Sequence, residues 1–112
     1  MTEILFISTA SRILGLHPQT LRKYERLGLI QPERTVASMR LYSPEQIERL
    51  RLIKYMVDEL GINLAGVRQL LLVAEIADRL DLLISDEELR RRDGLENLTY
   101  EVRHLREVLG LT

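Results

Sequence analysis

The stretch "HPQTLRKYERLGL", residues 17–29, leaves the backbone few choices. Pro18 fits the first position of a helix, where its missing N–H is not needed, and Gly28 fits the stop, so a helix of about ten residues is bracketed between them. Ahead of it, "STASRILGL" offers Ser8 as an N-cap and apolar residues at Ile13, Leu14 and Leu16 before Gly15 and Pro18 interrupt. The pattern predicts a short helix, a tight turn and the bracketed helix, which together make a helix-turn-helix. On the second helix Gln19, Arg22, Lys23 and Arg26 fall at i, i+3, i+4 and i+7, while Leu21, Tyr24 and Leu27 point elsewhere. One face is therefore polar and net basic.

Downstream, "LIQPERTVASMRLYS" holds Pro32 and the short β-compatible runs "RTV" and "MRLY", the pattern of a small hairpin with a loop. "SPEQIERLRLIKYMVDELG" opens with Ser43 as N-cap, Pro44 at the first helical position and Gln46 three residues on, a capping-box pattern. Ile47, Leu50, Ile53, Val57 and Leu60 then form an apolar stripe that Gly61 closes. Asn63 can cap a further helix through "LAGVRQLLLVAEIADRLDLL", and the periodicity leaves a break near residue 73 open.

After Ser85, Asp86 and Arg90, Glu87 and Arg91, and Glu88 and Arg92 are all i,i+4 pairs with the acid leading. That order predicts a salt-bridged helix rather than a nucleic-acid patch. Leu95, Leu98, Val102, Leu105 and Leu109 follow at alternating spacings of three and four, a heptad seam, with Asp93, Gly94 and Glu96 as marks of a fresh helix start. A chain of 112 residues buries only a modest core. A distal apolar seam then fits pairing with a second copy, with packing inside the chain as the alternative.

Composition removes several chemistries. The chain has no Cys, which excludes disulfides, thiolate metal sites and thiol catalysis. Its two histidines are His17, read as a helix cap, and His104, so neither a metal site nor a cofactor is expected. Carboxylates lie along helix faces without a recognisable pair, nucleophile or glycine-rich loop, which predicts a protein that is not an enzyme. "MTEILFISTASR" has neither the basic start nor the long apolar run of a signal peptide, and no stretch approaches the roughly 20 apolar residues of a membrane span. A soluble, cytoplasmic chain with no membrane partner is expected.

The net charge of −1 hides an asymmetry. Residues 1–70 hold ten Lys/Arg against seven Asp/Glu, and residues 71–112 hold six against ten. A basic face on a lone helix is more often solvated than bound. As the second helix after a tight turn, however, this one is the element that enters a major groove, with its N-terminal residues placed to reach base edges. Arg22, Lys23 and Arg26 suit guanine or phosphate, Gln19 suits adenine, and Thr20 and Tyr24 suit phosphate. Arg34 and Arg40 flank the hairpin loop, and Arg49, Arg51 and Lys54 follow on the next helix. A wing touching backbone or minor groove would use them; surface pairing with Glu33, Glu45 and Glu48 is the alternative.

The order "ISTASRILGLHPQTLRKYERLGLIQPERT", followed by "RLYSPEQIERLRLIKYMVDELGINLAGVRQLL", resembles the MerR family of winged-helix transcription regulators over residues 7–72. The "TLRKYERLGLI.P.RT" core and the "RLYS" return strand carry the resemblance. "LHPQTLR" with "GINLAGVRQLL" is most similar to the HspR type of heat-shock repressor in that family, and the GlnR type shares "N.AG". The resemblance implies an all-α fold with a small β-hairpin wing. Residues 1–72 would be a winged helix-turn-helix DNA-binding domain, and residues 73–112 a helical dimerisation segment forming an antiparallel coiled coil.

Faces and resemblance together place DNA contact on His17, Gln19, Thr20, Arg22, Lys23, Tyr24 and Arg26, and around the wing on Arg34, Arg40 and Tyr42. They place dimerisation on Leu95, Leu98, Val102, Leu105 and Leu109. The function implied is a homodimeric repressor of heat-shock or chaperone genes on an inverted repeat of double-stranded DNA, with the DnaK chaperone as co-repressor. Three alternatives stand beside it: a GlnR-like or other MerR-type regulator of different genes, a coiled-coil interaction module that binds no DNA, and a small architectural or excision factor. One departure bears on the wing, which in the family usually carries glycine. Here the loop has Ala37 and Ser38, so its turn geometry is at issue.

Overall fold

The computed structural model describes residues 4–111. Residues 1–3, part of the stretch read as lacking a leader, and residue 112 lie outside the described residues. The chain divides into two compact units, one ending at Ile62 and the other beginning at Asn63.

The first unit runs β1 (Leu5–Phe6), α1 (Ile7–Leu14), α2 (Pro18–Arg26), β2 (Glu33–Arg34), β3 (Arg40–Tyr42) and α3 (Pro44–Lys54), and α3 continues into a π-helical turn, Tyr55–Glu59. The strands form one antiparallel sheet in the order β1-β3-β2, with Leu5 opposite Tyr42 and Arg34 opposite Arg40. The expected hairpin is there, although its strands are "ER" and "RLY" rather than "RTV" and "MRLY". Strand β1 was not expected, because two residues carry no periodicity.

Local chemistry sets the helix ends. Helix α1 begins at Ile7, with Phe6 in the N-cap position and no side-chain cap. Ser8 is therefore inside the helix, where its carbonyl accepts from Ser11 Oγ at 3.0 Å. Helix α2 begins at Pro18, and its cap is His17, whose Nδ1 accepts from the Gln19 N–H at 3.0 Å. Gly28 closes it at φ 75°, a left-handed geometry that lets the Leu29 N–H return to the Tyr24 carbonyl at 2.9 Å. Ser43 Oγ caps α3 by accepting from the Gln46 N–H at 3.2 Å, yet Gln46 Oε1 is buried without a partner among the described residues, so only half of the capping box forms.

The core of this unit gathers Ala10, Leu14, Leu21, Leu29, Ile30, Tyr42, Leu50 and Ile53. The apolar stripe expected along α3 departs from its pattern at the π turn. There Leu60 N–H reaches the Tyr55 carbonyl at 3.2 Å and Ile62 N–H the Met56 carbonyl at 2.9 Å, a wider turn that rotates the helix phase. Met56 rather than Val57 is buried as a result, and Leu60 is exposed. Two cations of α3 hold the unit together: Arg49 Nε donates to the Leu29 carbonyl at 2.6 Å, and Lys54 Nζ to the Leu14 carbonyl at 2.8 Å. Each satisfies a carbonyl at the end of α1 or just beyond α2, where the helix dipole favours positive charge.

The second unit holds α4 (Leu64–Leu83), α5 (Asp86–Leu89) and α6 (Gly94–Val108). Asn63 Oδ1 caps α4 from the Gly66 N–H at 2.8 Å. The helix runs unbroken through residue 73, so the division expected at 72/73 falls inside it. The salt-bridged helix expected over "DEELRRR" is corrected: α5 ends at Leu89, and Arg91 pairs instead with Glu88 at 3.6 Å and Asp93 at 3.9 Å. Helix α6 packs back along α4, held by Arg79 Nε on Glu101 Oε1 at 2.9 Å and by the Gln69 amide on the Val108 carbonyl.

Candidate nucleic-acid interface

Helix α2 is divided by burial. Leu21 is fully buried, which fixes the helix on α1 and leaves the opposite face outward. On that face Gln19, Lys23 and Arg26 are exposed and Thr20 and Arg22 half-exposed. Among the described residues, Arg22, Lys23 and Arg26 have no ion-pair partner. Three uncompensated cations on a nine-residue helix concentrate positive potential on one narrow surface. His17, exposed at the N-terminus of the helix, uses Nδ1 for the cap.

The wing is a tight hairpin with a three-residue loop, 36–38. Thr35 N–H donates to the Met39 carbonyl at 2.9 Å, Ser38 N–H to the Thr35 carbonyl at 2.9 Å, and Met39 N–H to Thr35 Oγ1 at 3.1 Å. The loop needs a left-handed residue before its return strand, and Ser38 supplies it at φ 62°. A serine thus stands where glycine would be free of strain, at a cost on the order of 1 kcal/mol.

Glu25 joins helix to wing. Its Oε2 accepts from Arg34 Nη2 at 2.8 Å and its Oε1 from Arg40 Nε at 2.6 Å, while Arg34 Nη1 donates to the Ser38 carbonyl at 3.1 Å. Arg34 and Arg40 face each other across the β2–β3 ladder, where like charges repel, and the carboxylate between them offsets that. Burial alone would raise the Glu25 pKa. The hydrogen bonds and charges of Arg40 and Arg34 outweigh it and hold the carboxyl below its ordinary 4.5. The surface alternative for these arginines named Glu33, Glu45 and Glu48, and Glu25 was missed. The signal available was a lone acid in "RKYER", just ahead of an arginine-flanked hairpin.

Two expected contact residues lie in the core. Tyr42, the last residue of β3, is 0% exposed, and its hydroxyl is buried with no hydrogen-bond partner among the described residues. Burial also pushes its pKa up. Tyr24 is 6% exposed, and burial, followed by the charge of Asp58, raises its pKa. Its place on the inner side of α2 with Leu21 makes the ring part of the core. On α3, Arg49 and Lys54 are engaged with backbone carbonyls, and Arg51 lies 3.6 Å from Glu48.

The heptad residues of α6 are split in two. Leu98 and Leu105 are half-buried, whereas Leu95, Val102 and Leu109 are 69%, 43% and 53% exposed. Among the described residues no group of three or more His, Cys, Asp or Glu is gathered as metal ligands, and no helix is long and apolar enough to cross a membrane.

Comparison with known proteins agrees with this geometry. The family described as MerR HTH family regulatory protein matches residues 6–73. A Streptomyces coelicolor protein named as heat shock protein HspR is 47% identical over 70 residues, 62% of this chain and 46% of that protein. The mercuric resistance operon regulatory protein of Bacillus cereus is also 47% identical, over 62 residues, 54% of this chain and 46% of that protein. Each match thus spans under half of the relative's own length. The regulator HmrR of Rhizobium leguminosarum bv. viciae is 32% identical over 103 residues, 92% of this chain and 79% of that protein.

In fold the chain is similar to HiNmlR, described as a MerR family regulator lacking the sensor domain, bound to promoter DNA. The two share a TM-score of 0.60 at 18% identity, over 96% of this chain and 80% of that one. The winged helix-turn-helix, the matched residues and the relatives lead to one assignment: the chain belongs to the MerR HTH family of regulatory proteins, not to a family of enzymes.

Proposed function

We propose that this chain is a transcription regulator that lays α2 in the major groove of duplex DNA, with the wing beside it. The observation that carries this reading is the outward face of α2, where Gln19 stands with Arg22, Lys23 and Arg26, three cations without ion-pair partners among the described residues. The side chains suit base edges and phosphates, and the position in the fold suits groove entry. HiNmlR, of like fold, is bound to promoter DNA, which supports DNA as the partner.

In this reading residues 1–72 form the DNA-binding part and residues 73–112 the dimerisation segment, with Leu95, Leu98, Val102, Leu105 and Leu109 as its seam. A homodimer would read an inverted repeat whose half-sites are about one helical turn, or a multiple of it, apart. The likeness to HspR, by name a heat shock protein, supports a heat-shock role; in this reading the dimer represses heat-shock or chaperone genes in the cytoplasm, on the nucleoid, with DnaK as co-repressor. The equal identity to a mercuric resistance regulator favours, as a second reading, a MerR-type regulator of other genes. Thiolate sensing is outside the chemistry of these 112 residues, which hold no Cys.

Capture of genomic fragments on the purified protein, followed by sequencing, tests the reading. Enrichment of an inverted repeat upstream of chaperone genes is the expected outcome. The same repeat upstream of unrelated genes replaces the heat-shock assignment with the second reading. No enrichment, with duplex binding that is insensitive to salt, would leave a coiled-coil interaction module instead.

A further inference from the structure

Arg34 and Arg40 stand where a DNA-binding wing would use cations, and both are engaged by one carboxylate. Glu25 uses both oxygens to hold them, at 2.8 and 2.6 Å, and it lies on the same helix as Arg22, Lys23 and Arg26. A carboxylate beside a phosphate-binding surface weakens attraction to any polyanion, because it repels phosphates and cancels the cations that would attract them. The two arginine side chains are still 41% and 25% exposed, so their charge would be within reach of solvent and phosphate if released. Arg34 is bound a second time, to the Ser38 carbonyl, so it cannot swing outward without loosening the wing turn.

The geometry points to Glu25 as a specificity-determining residue of the DNA-binding site proposed above, on which this inference rests: it withholds Arg34 and Arg40 from sequence-independent phosphate contact and keeps non-specific affinity low. Base-reading side chains on α2 are untouched by the clamp. The background binding that any sequence would receive from the wing is what Glu25 removes. Discrimination between sites rises as that background falls.

The test compares the 112-residue chain with its Glu25→Gln variant on two duplexes of equal length, one carrying the captured inverted repeat and one scrambled. Glu25→Gln is expected to bind the scrambled duplex more tightly at low salt, with a log–log salt slope steeper by about 0.9 for each arginine released. Each released contact then adds a roughly 3.5-fold loss of affinity between about 50 and 200 mM salt. The preference for the repeat falls accordingly. Adding Arg34→Gln and Arg40→Gln to Glu25→Gln should restore the wild-type slope. Unchanged or weaker binding to the scrambled duplex, at an unchanged slope, overturns the inference.

Should Glu25→Gln fail to fold by circular dichroism, single substitutions in the wild-type background decide. Arg26→Gln, which removes a cation with no ion-pair partner among the described residues, is expected to flatten the slope by about 0.9, and Arg34→Gln by clearly less. Equal effects overturn the inference. A wild-type chain that binds neither duplex overturns the DNA reading itself and this inference with it, and that result is seen before any variant is made.

Discussion

At Tyr42 a phenol hydroxyl is buried without a partner among the described residues, a placement that costs about 1–3 kcal/mol. Tyr42→Phe should therefore leave stability unchanged or raise it by up to about 1 kcal/mol in urea unfolding, with DNA affinity unaltered. A loss of more than about 1 kcal/mol would show that the hydroxyl is bonded in solution. Glu25 makes a prediction of opposite character. Its folded pKa is depressed, so its contribution to stability is present above the ordinary 4.5 and is lost as pH falls through the lowered value. Wild type should be more stable than Glu25→Gln near neutral pH, and the gap should close under acid; a gap equal at both would mean that the carboxylate charge is not what holds the wing. These two residues also mark the limit of reading single positions. Helical spacing placed Gln19, Arg22, Lys23 and Arg26 outward, because spacing fixes direction on a helix. It gave no partner for Glu25 and no depth for Tyr42, because those depend on which strand folds against which.

Among elements, those with chemical ends were legible. Pro18 and Gly28 bracket α2, Ser43 and Pro44 open α3, and Asn63 opens α4, as the sequence predicts. The elements that escaped are short or defined by tertiary contact: the two-residue β1, the π turn after α3, and the early end of α5 at Leu89. The π turn is instructive, since an ordinary helical period there predicts Val57 inward where the wider turn buries Met56. The wing loop shows another case, in which serine holds a left-handed position that suits glycine. Ser38 takes the left-handed conformation under the restraint of Thr35, Met39 and Arg34. Ser38→Gly should then stabilise the chain by up to about 1 kcal/mol, and Ser38→Val should destabilise it, read from thermal unfolding. A destabilised Ser38→Gly would mean that the loop is not held left-handed at this position.

For the whole chain, charge and apolar surface are divided. The basic excess lies in residues 1–70 and the acidic excess in residues 71–112. The second unit leaves Leu82, Leu95, Tyr100 and Leu109 exposed. The half-burial of Leu98 and Leu105 shapes the test of dimerisation, because Asp at those positions would disturb packing inside the unit. Asp at Leu95 and Val102 instead should give a folded monomer by light scattering and circular dichroism, whereas a persistent dimer would refute the seam.

The central claim is that the outward face of α2 reads DNA, and Arg22→Ala tests it most directly. Affinity of the wild type and the variant for the inverted-repeat duplex and for a scrambled duplex is measured by gel-shift titration at fixed salt. The expected result is a loss of about 5- to 150-fold on the repeat, with a much smaller loss on the scrambled duplex. Equal affinity of the two proteins for the repeat would contradict the claim.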